Sequence, residues 1–276
     1  MALRRAAVAG AWYPANAERL TEEVDGHLAR ADAETETPHA DGDLVALIAP
    51  HAGLVYSGPV AAHAYRLLRR RAYDVIVLVG PSHYVGFSGA ALWRRGTFET
   101  PLGPLAIDDS TADALADASP VIHERPAAHE REHSLEMQLP FLAALAPTAR
   151  IVPVVMGFQT RETALNVGDA LARVLPGRRA LLVASSDLSH FFDAQTAASM
   201  DAQVVDDVER LDDEALMSRL ERRPEHACGG GPMVSVIRAA KALGARSSRV
   251  LKHADSGDVS GDKTSVVGYL AAAIWK

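Results

Sequence analysis

Two histidines of this chain follow apolar segments of the same kind. His51 ends the sequence ALIAPH and His83 lies in VIVLVGPSH, and in each case a proline comes shortly before the imidazole. Imidazole nitrogen is a common metal ligand in proteins, and open α/β sheets bind ligands at the carboxyl ends of their strands. We therefore interpret the two histidines as candidate ligands of one metal ion; loop histidines with ordinary hydrogen bonds are the alternative.

The segments around the histidines predict a β-α-β unit. Leu44–Ala49 and residues 75–80 are short apolar runs, typical of parallel strands buried on both faces. Residues 58–71 between them have the spacing of a helix, and the separation of the two histidines matches the length of such a unit. We therefore expect both imidazoles to leave the carboxyl ends of adjacent strands.

A third apolar run, Ala180–Ser185, ends in SSDLSH and repeats this arrangement. Asp187 and His190 are three residues apart, which places both on one side of a turn, where a carboxylate orients an imidazole and raises its basicity. The pair predicts a proton-transfer role, unless Asp187 only caps the next element. A hydrolytic site of Ser185 or Ser186 with this pair is a weaker alternative, because the chain lacks a G-x-S-x-G elbow.

Two further segments contain candidate site residues. Cys228 is the single cysteine and lies in HACGGGPM, where the glycines allow a close backbone approach and the proline favours a helix start. A small buried cysteine that only packs is the alternative. In EHSLEMQLPF, His133 begins a predicted helix and Glu136 lies one turn further on, which predicts either a capping arrangement or the polar wall of a pocket.

Composition is typical of an enzyme-sized globular protein. The 276 residues are 48% hydrophobic and 23% charged, which is enough apolar material for a large core. The net charge of −7 argues against general nucleic-acid binding, and a lone cysteine cannot form an internal disulfide. Since the chain shows neither a signal peptide nor an apolar stretch of about 18 residues, we expect a cytoplasmic protein without nucleic-acid or membrane partners.

The rest of the chain alternates between strands and helices, which predicts an α/β fold in one domain, 1–276. An acidic segment, 31–43, predicts a surface loop. The other predicted helices are 18–30, 110–118, 132–145, 161–175, 194–210, 213–222 and 232–243. The other predicted strands are 90–94, 96–99, 104–107, 150–156, 249–253 and 265–274.

Eight motifs, taken in order, resemble the MEMO family, also called the AmmeMemoRadiSam system protein B family. They are AGAWYP, APHAGLVYSGPVAAHAY, GPSHY, FETPLG, EHSLEMQLPF, SSDLSH, ACGGGP and SGDKTSVVGY, and they span residues 9–269. This family is similar in fold to the class III extradiol dioxygenases, non-haem Fe(II) enzymes that open catechol-like rings. The resemblance implies a single-domain α/β/α sandwich around a mostly parallel sheet with an antiparallel extension.

The resemblance also implies roles for individual residues. His51 and His83 fall where the dioxygenases place their two iron-binding histidines, and His190 falls where they keep the acid/base histidine. Where those enzymes supply a carboxylate ligand, this chain has Cys228, with Asp187 nearby as an additional group. A thiolate is a softer ligand than a carboxylate, so copper and zinc compete with the favoured Fe(II) for the single metal site.

Our leading hypothesis is a metal-dependent redox enzyme that acts on a small-molecule or peptide substrate. In this hypothesis, His190 is oriented by Asp187 and moves protons. The expected pocket residues are Trp12, Tyr56, His133 and Glu136. The alternative hypothesis is a non-catalytic module that binds a peptide or phosphopeptide, since the family name implies an association with a radical-SAM protein and an AMMECR1-like protein.

Overall fold

The computed structural model describes residues 2–34 and 42–276. The strands are β1 Leu3–Arg4, β2 Leu44–Ala49, β3 Val75–Pro81, β4 Ala90–Leu92, β5 Thr97–Phe98, β6 Leu105–Ala106, β7 Ile122–Glu124, β8 Arg150–Met156, β9 Ala180–Ser185, β10 His190–Phe192, β11 Ser247–Asp255 and β12 Val266–Trp275. The helices are α1 Ala17–Glu34, α2 Leu54–Tyr65, α3 Asp109–Ala118, α4 Leu139–Leu145, α5 Arg161–Val174, α6 Ala194–Glu209, α7 Asp213–Arg222, α8 Gly230–Ala242 and α9 Gly257–Ser260.

The main sheet has the strand order β10-β12-β2-β9-β3-β8-β4-β7, and β11 also pairs with β12. Its centre, β2-β9-β3-β8, is parallel, whereas β12 runs antiparallel to β2 and β4 runs antiparallel to β8. A second, small sheet has the order β1-β5-β6. The main sheet is therefore mixed: four strand pairs are parallel and four are antiparallel, with the predicted parallel strands at its centre and antiparallel pairs on both sides.

Helices cover both faces of the main sheet. Successive side chains of a strand point to opposite faces, so Leu47 of β2 belongs to one apolar core and Ile48 to the other. The first core contains residues of α1, α2 and α4, and the second contains residues of α3 and α5 to α8. The three layers confirm the predicted α/β/α sandwich.

Several helices begin at side-chain caps that the sequence contains. In each case a side-chain oxygen accepts a hydrogen bond from a backbone N–H group in the first turn of the helix. The capping residues are Asp108 for α3, Thr160 for α5, Asp193 for α6 and Asp212 for α7. These caps satisfy donors that have no partner within the helix. Every helix among the described residues is too short or too polar to cross a bilayer.

The expectation that β2 and β3 are adjacent is wrong. β9 lies between them, and its Leu182 pairs with Ala46 of β2 on one side and with Val77 of β3 on the other. A local apolar pattern indicates a buried strand, but it does not indicate which later strand will lie between the two strands of a β-α-β unit. All three strands still run parallel, so their carboxyl ends remain at one edge of the sheet.

Three predicted segments differ from the structure by more than a shift of their ends. The expected helix 132–145 is a 3₁₀ turn at Glu136–Gln138 followed by α4. Residues 132–135 are irregular because the Glu132 side chain accepts the backbone N–H of Ser134. The expected helix 58–71 is α2 followed by a 3₁₀ turn, Arg66–Arg70. α1 continues to Glu34, into the predicted loop 31–43, of which residues 35–41 lie outside the described part of the chain.

Candidate metal centre

Three side chains predicted as metal ligands meet at the carboxyl edge of the sheet. His51 follows β2, His83 follows β3, and Cys228 lies just before α8. One ligand atom from each lies within 4.8 Å of the others. The Cys228 sulfur is 3.1 Å from Nε2 of His51, and the two imidazole rings are 5.2 Å apart between centroids.

The backbone around Cys228 packs directly against the end of β9. The Cys228 N–H donates to the carbonyl of Asp187 at 3.2 Å, and the Gly229 N–H donates to the hydroxyl of Ser186 at 2.9 Å. A Cβ atom on Gly229 would lie 2.3 Å from the carbonyl oxygen of Ser185. Glycine is therefore the residue that allows this loop to bring the sulfur against β9.

Hydrogen bonds assign the proton of His51 to Nδ1. This nitrogen lies 2.9 Å from the hydroxyl oxygen of Ser185, which donates its one proton to the carbonyl of Ser134 at 2.6 Å and accepts from Nε2 of Gln138 at 2.8 Å. Tyr65 donates to Oε1 of Gln138 and so orients that amide. Because the hydroxyl has a single proton, Nδ1 of His51 is the donor and Nε2 keeps its lone pair.

His83 has a different partner, Glu132, whose role no sequence motif indicated. The Glu132 carboxylate accepts hydrogen bonds from Nδ1 of His83 at 2.8 Å and from the His83 backbone N–H at 2.5 Å. Burial by itself raises the pKa of Glu132, but the hydrogen bonds and charge of His83 outweigh it and bring the pKa to about 2. The only signal in the sequence was an acidic residue directly before His133.

His190 interacts electrostatically with His51, but Asp187 does not orient its ring. Nδ1 of His190 donates to the carbonyl of Leu188 at 2.8 Å, so in the neutral ring Nε2 is the nitrogen without a proton. The Asp187 carboxylate instead accepts the backbone N–H of His51 at 2.6 Å. The expectation was wrong because Leu188 and Ser189 exchange backbone hydrogen bonds with β12, so the segment is extended rather than a turn.

Trp12 and His133 form one wall beside His83. The ring of His133 stacks on His83 at 4.3 Å between centroids and contacts Trp12 at 4.2 Å. Tyr84 meets the same imidazole edge to face at 5.7 Å. Tyr56 is 39% exposed near the start of α2 and makes no ring contact with this wall among the described residues.

Glu136 lies outside the pocket, contrary to our expectation, and it caps no helix. Its buried carboxylate accepts hydrogen bonds from the Arg4 guanidinium, the Tyr13 hydroxyl, and the backbone N–H groups of Ala7 and Val8. Burial, followed by the charge of Glu136, raises the pKa of Tyr13 far above its ordinary value. Glu136 thus anchors the N-terminal segment that carries Trp12.

The hydrolytic alternative finds no assembled triad in the described residues. Ser186 donates to the carbonyl of Asp187 and accepts from Gly229, whereas Ser185 is engaged with His51 as described above. Neither hydroxyl has a hydrogen bond to His190 among the described residues. Both serines hold the ends of strands and loops together.

The environment favours the uncharged forms of His51 and Cys228 when no cation is bound. Burial, with the neighbouring His83 and His190, keeps the pKa of His51 well below its ordinary value. Burial and the charge of Asp187 raise the pKa of the Cys228 thiol. A bound cation reverses this effect on a thiol, so metal binding at this position would release the thiol proton.

Comparison with known proteins extends the resemblance to nearly the whole chain. The sequence profile of the family described as Memo-like protein matches residues 4–273. A MEMO1 family protein of Methanosarcina mazei is 37% identical over 277 residues, which cover 99% of this chain and 100% of that protein. A MEMO1 family protein of Caldivirga maquilingensis is 36% identical over 282 residues, which cover all of both chains.

A solved structure supports the fold alone. The crystal structure of an uncharacterized protein from Escherichia coli K12 superposes with a TM-score of 0.60 at 16% sequence identity. The match covers 85% of this chain and 100% of that one. It is consistent with the α/β/α architecture described above.

Proposed function

This chain belongs to the Memo-like protein family, and from this premise we propose that it is a metal-dependent redox enzyme whose single metal ion is bound by His51, His83 and Cys228. The observation that carries the proposal is the meeting of two imidazoles and one thiol within 4.8 Å. At metal–ligand bonds of about 2.0–2.3 Å, donor atoms of one ion lie roughly 3 to 4.5 Å apart. The separations in this site are close to those values, so the donor set fits one ion.

The donor set favours a transition metal over magnesium or calcium, because it contains nitrogen and sulfur atoms. Among transition metals we propose Fe(II), with copper and zinc as the competing ions. A bound iron(II) ion would supply a Lewis-acidic, redox-active centre with open positions for substrate and dioxygen. The three protein ligands come from different segments, and His83 and Cys228 are at least partly accessible to solvent.

His190 is the proposed acid/base residue. Its Nδ1 proton is held by the carbonyl of Leu188, so Nε2 is free to accept a proton from a substrate and to return it later. Trp12 and His133 form an aromatic wall that would shield a planar substrate from water. Asp187 serves this site indirectly, because it holds the backbone of His51.

A second candidate function is suggested by exposed aromatic side chains in the segments around the site. Tyr56 in α2 is 39% exposed, Tyr84 after β3 is 46% exposed, and Phe191 in β10 is 77% exposed. Exposed aromatic groups are typical of surfaces that bind other chains. They favour a non-catalytic module that binds a peptide or phosphopeptide, within a modification system that contains a radical-SAM protein and an AMMECR1-like protein.

Anaerobic titration of the purified protein with Fe(II) tests the metal site. We expect one ion per chain, and a sharp loss of affinity in His51→Ala and in Cys228→Ser. His123→Ala is the matched control, because His123 is exposed on β7 at the far edge of the sheet. Absence of binding to the natural protein, or equal binding by all four proteins, would remove the proposal. The same titrations with Cu(I) and Zn(II) decide between the ions.

Oxygen consumption separates the two candidate functions. Sustained, metal-dependent uptake in the presence of candidate diols supports an enzyme, and uptake should fall in His190→Ala while Fe(II) binding is retained. Intact metal binding with no uptake, together with binding of a peptide or phosphopeptide, supports the module instead.

A further inference from the structure

The hydrogen bonds of Glu132 determine which nitrogen of His83 carries the proton. A carboxylate has no proton to donate, so Nδ1 of His83 is the donor at 2.8 Å, and in the neutral ring Nε2 is the nitrogen that keeps the lone pair. The second hydrogen bond, from the His83 backbone N–H, holds the main chain against the same carboxylate. Ring and backbone are thus held by one buried group that comes from a different part of the chain.

We propose that Glu132 is a positioning residue, which turns Nε2 of His83 toward Nε2 of His51 and the Cys228 sulfur. The inference rests on the proposed function, in which these three atoms bind a metal ion. Metal-bound histidines commonly donate their second N–H to a carboxylate, which fixes the ring and strengthens its donor nitrogen. Glu132 has the contacts, burial and charge that this role requires.

The same carboxylate is poorly placed to bind a cation itself. His83, Glu132 and His133 also have the spacing of a metal-binding group. However, the Glu132 oxygens already accept three N–H donors: two from His83 and the backbone N–H of Ser134 at 2.9 Å. A cation at this position would have to displace those donors. The geometry therefore favours an orienting role.

The two histidines differ in what holds them. Nδ1 of His51 donates to the neutral hydroxyl of Ser185, whereas Nδ1 of His83 donates to a charged carboxylate. A hydrogen bond to a charged acceptor is roughly twice as strong as one between neutral groups. Loss of Glu132 should therefore weaken metal binding more than loss of the Ser185 hydroxyl does.

The first test measures the tautomer of His83 in the metal-free protein by ¹⁵N NMR of the histidine rings. We expect His83 to carry its proton on Nδ1 in the natural protein, and a mixture of tautomers in Glu132→Gln, whose amide has only one acceptor oxygen. His51 should be unchanged in the same spectra. A neutral His83 ring with its single proton on Nε2 in the natural protein would overturn the inference without any variant.

The second test measures the Fe(II) dissociation constant. We expect an increase of roughly ten- to a hundredfold in Glu132→Gln, a smaller increase in Ser185→Ala, and no change in Glu130→Gln. Glu130 is the matched control, because it is exposed in the same segment. Unchanged affinity together with an unchanged tautomer in Glu132→Gln would contradict the inference.

The two tests separate the inference from the proposed function. If the natural protein binds no metal ion, the proposed function fails, whereas the tautomer of metal-free His83 still decides whether Glu132 orients the ring. If Glu132→Gln does not fold, the spectrum of the natural protein decides by itself.

Discussion

The sulfur of Cys228 lies 3.1 Å from Nε2 of His51, although the two residues are 177 positions apart in the chain. The loop of Cys228 reaches this position by hydrogen bonds to Ser186 and Asp187, at the end of β9. β9 also lies between the strands that carry the two histidines. β9 therefore sets the separation of the two imidazoles and also positions the thiol.

We expect Gly229→Ala to weaken metal binding. The new Cβ would lie 2.3 Å from the carbonyl oxygen of Ser185, so the loop must move away from β9 and take Cys228 with it. The free energy of unfolding should fall by about 1–3 kcal/mol, as is usual for overpacking, and the Fe(II) dissociation constant should rise. Urea unfolding and metal titration measure the two effects.

Gly26→Ala is the matched control for this substitution. Gly26 lies within α1, and a Cβ atom there meets nothing within 4 Å. Alanine is the better helix former, so the free energy of unfolding should rise by about 0.5–1 kcal/mol with metal binding unchanged. If Gly229→Ala has the same Fe(II) dissociation constant as the natural protein, the loop is not held as tightly as the structure indicates.

We expect Glu136→Ala to be strongly destabilising. The substitution leaves the buried Arg4 guanidinium without its carboxylate, and removal of one partner of a buried ion pair costs about 3–5 kcal/mol. Chemical denaturation measures the loss, and Trp12 fluorescence reports whether the N-terminal segment is released. Asp74→Asn breaks the exposed pair with Arg179 and should change stability little. Similar effects of the two substitutions would contradict this account of Glu136.

Acid should destabilise the protein partly through His129. Burial lowers the pKa of this residue to about 3, and a hydrogen bond to the carbonyl of Ala91 offsets burial only in part. The unfolded chain, with a pKa near 6.5, therefore binds more protons than the folded one between pH 6.5 and 3, so stability falls as the pH falls. The contribution of His129 to the loss is about 2 kcal/mol between pH 7 and pH 5.

His129→Gln tests this pH dependence. The glutamine amide can still donate to the carbonyl of Ala91 but does not titrate. The variant should therefore lose less stability than the natural protein when urea unfolding at pH 7 and pH 5 is compared. Equal losses in both proteins would show that His129 does not contribute.

We expect Phe191→Gly to leave stability unchanged or to increase it by up to about 1 kcal/mol. Phe191 has φ = 66° and is 77% exposed, so its side chain contributes little burial and its backbone conformation favours glycine. Leu211 also has a positive φ, 54°, but is buried, and Leu211→Gly should be destabilising. If Phe191 contacts a bound peptide or substrate, Phe191→Gly should lower the affinity for that ligand. The thermal midpoint of unfolding should not fall.

Sequence patterns predicted the fold class and the positions of the three ligand candidates. The apolar runs before His51 and His83 identified buried parallel strands, and such strands deliver their following residues to one edge of a sheet. The role of Cys228 depended on the family resemblance, because a single cysteine near glycines has no metal-specific spacing. The boundaries around 132–145 were missed because a side chain there replaces helical hydrogen bonds.

The sequence by itself determined which segments are buried strands and which residues follow them, because periodicity and apolar composition are local properties of the chain. Only the tertiary structure decided that β9 inserts between β2 and β3, that Asp187 binds the backbone of His51 rather than His190, and that Glu132 holds His83. These outcomes depend on strand order and on directional hydrogen bonds between distant residues, and no local pattern encodes them.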